Sequence, residues 1–223
     1  MRNLPVAAVV VLLLAGCTGE SSKSEDAFGA ANTTSAAAAE DKKAPVPSGP
    51  FGFSFGTDIS KVEGAKLLEG KTALYSVASP PKPHPDFESV VLEAYPGVGI
   101  CIIRGIGRDL EGDGAGVQIR TKVDSLAEAL ATKYGKPKKN DVCSGSEISC
   151  QEQFWVMNMT NGERWYGHSW ETANAVMKQN GIGEITLAAR AADIQTTYPV
   201  LEFLSANKAQ CAAAAKASAA DAL

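Results

Sequence analysis

ESVVLEAYPGVGICIIRGI, residues 88–106, carries two apolar runs on either side of Pro96-Gly97-Val98. ESVVLEAY (88–95) and GICIIRGI (99–106) are rich in β-branched and aromatic residues and too short for buried helices, so both read as strands. A third strand, TALYSVAS (72–79), precedes them. Between it and the next lies PPKPHP (80–85), which lacks the N–H groups a ladder needs and reads as a rigid extended loop.

Outward from this meander, helical signals flank the strands. TDISKVEGAKLL (57–68) puts Ile59, Val62, Leu67 and Leu68 behind a Thr57-Asp58 start signal and predicts a helix. VQIRTKVDSLAEALATKYG (117–135) spaces Val123, Leu126, Leu130 and Tyr134 for one helical face and ends at Gly135 and Pro137. Lys136, Lys138 and Lys139 then read as a solvated turn. QEQFWVMNMT (151–160) and ERWYGHSWE (163–171) flank Asn161-Gly162 and predict a β-hairpin. In that register Met159 faces Arg164, Met157 faces Tyr166 and Trp155 faces His168. Trp165 falls on the opposite, open side of the sheet, a candidate contact surface. EITLAARA (184–191), a segment around TTYPVLEFL (196–204) and an Ala-rich helix from about Asn207 complete the chain. This order predicts an α+β fold, an antiparallel sheet of strand meanders with helices packed on one face.

The first fifty residues are different in kind. Arg2 precedes an apolar run, Pro5 to Ala15, that closes on Leu14-Ala15-Gly16-Cys17. The run has the length of a signal-peptide core and is too short to cross about 30 Å of hydrocarbon. Residues 18–50 are rich in Ser, Ala, Thr, Gly and Pro, with only Phe28 and Val46 as large apolar groups, and cannot repay the entropy of folding. The expected organisation is a signal peptide (1–16), a lipidated Cys17 with a flexible tether (17–50), and one globular domain (51–223).

Leu-Ala-Gly-Cys resembles the lipobox of bacterial lipoproteins. The resemblance implies diacylglyceryl attachment at the Cys17 thiol, cleavage before Cys17 and anchoring in membrane lipid. Thr18, rather than aspartate, points by the same resemblance to the outer membrane, facing the periplasm. Two or three acyl chains are what firm anchoring requires.

Five cysteines less Cys17 leaves Cys101, Cys143, Cys150 and Cys211. In an oxidising compartment these predict two disulfides, with three pairings open. The Cys143–Cys150 bond encloses a short CSGSEISC loop, and Cys101–Cys211 follows by elimination. The long bond would contribute about 4 kcal/mol in the chain-entropy account.

Net charge is −4, so no basic footprint for nucleic acid exists. No cofactor loop is complete: Leu110 stands where the third glycine of a dinucleotide motif would be. Asp109, Glu111, Asp113 and Gly114 open like a calcium loop, but Arg120 occupies the closing carboxylate's place. His84 and His168 stand apart from any catalytic motif.

FGFSFGTDI (51–59), GICIIRGIGRDL (99–110), LATKYGKP (130–137), NGERWYGHSWE (161–171) and the cysteine before the terminal DAL are together similar to an uncharacterised family of small exported bacterial proteins. That resemblance implies one domain and brings no activity or cofactor. The expected function is a non-enzymatic envelope module with an envelope protein partner. A periplasmic hydrolase with a dispersed site is the alternative.

Overall fold

The computed structural model describes residues 49–221 apart from Asp113. The signal peptide, Cys17, nearly all of the tether and Asp113 of the calcium-like loop lie outside the described residues.

The chain is α+β, built on an antiparallel sheet. Strands β1 (Lys66–Leu67), β2 (Leu74–Val77), β3 (Phe87–Tyr95), β4 (Gly99–Gly107), β5 (Leu110–Glu111), β6 (Lys138–Cys143), β7 (Arg164–Trp170), β8 (Ile182–Ala191) and β9 (Thr196–Ser205) run in spatial order β1-β2-β3-β4-β9-β8-β7-β6, and β5 pairs β9. The two central runs of the sequence pair directly, with Leu92 opposite Ile103 and Val90 opposite Gly105. Strand alternation places Val90, Leu92, Ile103, Leu201, Phe203, Ile185 and Leu187 on one face, and all are buried.

Three of the four α-helices among the described residues cover that face. α1 (Val117–Tyr134) buries Val123, Leu126 and Tyr134, as their spacing predicted, together with Ile119 and Ala127, and leaves Leu130 half-buried. α2 (Trp155–Thr160) buries Trp155, Val156 and Met159, and α3 (Ala175–Gln179) buries Met177. The last helix, α4 (Lys208–Asp221), lies on the other side, where Ala212 and Ala215 line a shallow groove with Ile102 and Leu204. Its anchor is a disulfide from Cys211 to Cys101, with Cα atoms 5.7 Å apart. Cys143 and Cys150 form the second bond, at 6.0 Å.

Three local expectations are corrected. QEQFWVMNMT is not a strand: it forms a 3₁₀ turn (Glu152–Phe154) and then α2. The Met159–Arg164, Met157–Tyr166 and Trp155–His168 pairs therefore do not exist, and β7 pairs β6 and β8 instead. The reason lies in Gly162, whose φ of 75° serves a helix end as well as a hairpin turn. Gly162 N donates to Met159 O at 3.1 Å and Glu163 N to Asn158 O at 2.8 Å, the paired bonds of a Schellman cap. The true partner of β7 is Lys138–Cys143, expected as a turn because its polar sequence shows no apolar alternation; it is an edge strand, and edges tolerate charge. TDISKVEGAKLL is not a helix: it holds a 3₁₀ turn, Ile59–Lys61, with Asp58 accepting from Ser60 N at 2.9 Å, and its Lys66–Leu67 forms β1 against β2. Val62, in extended backbone, ends the turn, its N–H donating to Ile59 O.

Candidate functional site

Three elements, α1, β6 and β7, build a polar cluster around Asp124. Asp124 sits on α1 between Val123 and Ser125 and points toward β7, where Tyr166 and His168 alternate onto the same face. Tyr166 OH donates to Asp124 at 2.8 Å, and His168 Nε2 lies 2.8 Å from Asp124 Oδ1. Lys139 Nζ, from neighbouring β6, donates to Asp124 Oδ2 at 2.7 Å. One carboxylate thus holds a helix and two strands together.

The electrostatics follow from that crowding. Partial burial pushes the Asp124 carboxyl up, but hydrogen bonds from Lys139, His168 and Tyr166 outweigh it and hold it below the ordinary carboxylate value. The bond to Asp124 raises Lys139, and burial with the same carboxylate raises Tyr166. Because ionised Asp124 only accepts, the His168 proton sits on Nε2 when the ring is neutral. Nδ1 is then buried, with no protein partner among the described residues.

Beside this cluster the ring of Trp155 packs edge-on to Tyr166, with centroids 5.5 Å apart. Two guanidinium groups lie over it: Arg120 at 5.4 Å and Arg164 at 5.3 Å from the ring centre. Arg120 pairs with Glu152, and Arg164 clasps Asp141 through Nε at 2.9 Å and Nη2 at 3.1 Å. Gly116 makes room for the indole. A Cβ there would come within 2.3 Å of the ring, and the residue's φ of 66° suits glycine at the helix start.

The arrangement ties α1 to β6 and β7 and offers a polar surface beside them. Asp124 meets Tyr166, His168 and Lys139 while its side chain stays 37% exposed, and His168 Nδ1 is buried with no protein partner among the described residues. Open clefts of about 320 and 340 Å³ flank Lys139.

No family model matches the chain, and no curated protein or solved structure matches it significantly.

The residues singled out in the sequence lie apart. Trp165 is half-buried on the face opposite α1, paired with exposed Val142 of β6. Asp109 and Glu111 flank Leu110 at the start of β5, whose Leu110 and Glu111 pair with Thr197 and Thr196. No group of three or more His, Cys, Asp or Glu side chains able to hold a metal occurs among the described residues. The opposite face carries its own charge triad: Arg104 on β4 binds Glu202 on β9 and Glu93 on β3, the latter at 3.2 Å. Tyr95 donates to Glu93 at 2.6 Å, and burial with that contact pushes its phenol up to about 12.

Sequence reasoning missed the Asp124 cluster because its members sit 15, 42 and 44 residues from Asp124. No local signal marked it: the helical neighbours of Asp124 are Arg120, Thr121, Ala127 and Glu128, the pattern of an ordinary solvated face.

Proposed function

We propose that the protein is a lipoprotein of the bacterial envelope, acylated at Cys17, anchored in membrane lipid and facing the periplasm, and that its folded part binds an envelope protein rather than catalysing a reaction. The observation that carries this reading is the cysteine arithmetic. Of five cysteines, four are joined in two disulfides, and the one left over stands at the end of Leu14-Ala15-Gly16-Cys17. Paired cysteines suit an oxidising compartment beyond the inner membrane. An unpaired one at the lipobox position suits thioether formation with a diacylglyceryl group.

For the binding surface, Trp165 and Val142 form an aromatic–aliphatic pair near one edge of the sheet face that α1 to α3 leave uncovered. Such pairs supply large contact area at little entropic cost.

Cys17→Ser tests the anchor. Wild type should partition into the detergent phase and migrate as the processed form. The variant should remain unprocessed by the lipoprotein peptidase and leave the detergent-phase fraction. Detergent partitioning of a normally processed Cys17→Ser chain would refute the reading. For the surface, Trp165→Ser should weaken capture of the partner from intact envelopes without lowering the melting temperature by more than a few degrees.

A further inference from the structure

A groove of about 420 Å³ opens between the first described residues and the C-terminal half of α1, larger than the clefts that flank Lys139. That volume is in the range of small-molecule sites. Its walls are apolar and aromatic: Phe51, Phe87, Phe203, Leu126, Leu130 and Tyr134. Its rim carries Lys82, His84 and Lys133, and no carboxylate lines it among the described residues.

The fold pays a local cost to shape this groove. Phe51 holds φ at 51°, a left-handed conformation that a bulky side chain adopts only when its surroundings enforce it. The ring packs edge-on to Phe87, at 5.4 Å, and to Phe203, at 6.3 Å. It lies above Gly105 in the middle of β4. A Cβ there would come within 2.4 Å of Phe51 Cζ and 2.9 Å of the Phe87 ring.

The charged side chains among the described lining residues are lysines. Asp86, on the same loop as His84, is bound by Lys122 on α1 through Oδ1, and its Oδ2 lies 3.9 Å from His84 Nδ1. His84 Nδ1 accepts from Asp86 N at 3.2 Å, which leaves Nε2 to donate. Lys133 Nζ stands 5.0 Å from the Tyr134 ring at the groove's edge. In a chain of net charge −4, an apolar cleft rimmed by two lysines and an imidazole donor selects for a negative headgroup on an apolar body.

We propose that this groove binds a single-chain anionic amphiphile, with its apolar body between Phe51 and Leu130 and its carboxylate or phosphate at Lys82, His84 and Lys133. The inference is independent of acylation at Cys17.

The test titrates the purified full-length Cys17→Ser chain with decanoate and, separately, with decyl maltoside, an uncharged amphiphile of the same tail length, both below their micelle concentrations. Decanoate should bind saturably with one site, at least tenfold more tightly than decyl maltoside. Lys82→Glu combined with Lys133→Glu should weaken decanoate at least tenfold while leaving the melting temperature and decyl maltoside binding unchanged. Leu130→Trp, which fills the groove, should abolish both. Equal affinity for the two amphiphiles, or decanoate binding indifferent to the lysine changes, overturns the proposal. Binding to anionic phospholipid vesicles without binding to free decanoate also overturns it, because surface adsorption then accounts for the charge. Decanoate binding that emerges only after Phe28→Ser and Val46→Ser would assign the groove to the chain's own N-terminal segment and overturn it likewise.

Discussion

Two long helices dock on opposite faces of one sheet, and different physics holds them. α1 places five buried side chains against β7, β8 and β9, and pins its middle with Asp124 and its end with the Trp170 Nε1 bond to Gly135 O, at 2.6 Å. α4 has no buried residue among those whose exposure is described, and it meets the sheet through alanines. A disulfide, a Lys208–Glu184 ion pair at 2.6 Å and a Thr72–Ser218 hydroxyl contact at 3.2 Å hold it. An apolar stripe docks a helix through many small contacts that are lost one by one. An Ala-rich helix without such a stripe can be docked by one covalent bond, and that bond is a single point of failure.

The sharpest way to break the comparison is to remove that bond. Cys101→Ala with Cys211→Ala reopens a 110-residue loop, and the chain-entropy account puts the loss at about 4–5 kcal/mol as an upper figure. Amide exchange should show residues 208–221 losing protection while α1 keeps its own. If α4 stays protected in the double variant, its packing is stronger than its burial implies. The Cys143–Cys150 bond spans only 7 residues, and its removal should cost about 2.5 kcal/mol on the same account, with α4 unaffected.

On the other face, a single truncation should be felt but not unseat the helix. Ile119→Ala removes a side chain only 1% exposed and should lower stability by about 3 kcal/mol in urea unfolding. A loss below 1 kcal/mol would mean that α1 is held chiefly by its polar contacts.

Asp124→Asn measures those contacts. The carboxylate is about a third exposed, so solvent screening keeps its effect at about 1–2 kcal/mol near neutral pH, short of a fully buried pair. Its folded-state value lies below 3.8. The stability it contributes is therefore fully present above the unfolded value, about pH 4, and is lost as pH falls through the lower folded value. Wild type should lose stability more steeply than Asp124→Asn below pH 4. Parallel acid limbs would remove Asp124 from the account of acid unfolding.

The smallest effect is expected at Arg104, the centre of the charge triad on the α4 side of the sheet. Arg104→Ala should cost about 1 kcal/mol, with sensitivity to salt, because its partners are partly solvated.

Composition and period alone determined much of this protein. The apolar runs at 88–95 and 99–106, the face of Val123, Leu126 and Tyr134, and the strands at 184–191 and 196–204 are strong because local period and burial agree there. Loop proximity and elimination were enough to pair four cysteines, since a six-residue loop leaves Cys143 little choice. Tertiary structure decided the rest. Gly162 fits a hairpin turn and a helix cap equally well, and only the burial of Trp155, Val156 and Met159 under α1 and β7 selects the helix. Lys138–Cys143 becomes a strand because β7 offers it an edge, not because its polar residues favour one. Asp124, Lys139, Tyr166 and His168 meet only when α1 crosses the sheet, and no local rule can see across such sequence distances. The face that α4 occupies was likewise set by where Cys101 projects from β4, a matter of strand register that the pattern of apolar residues leaves open.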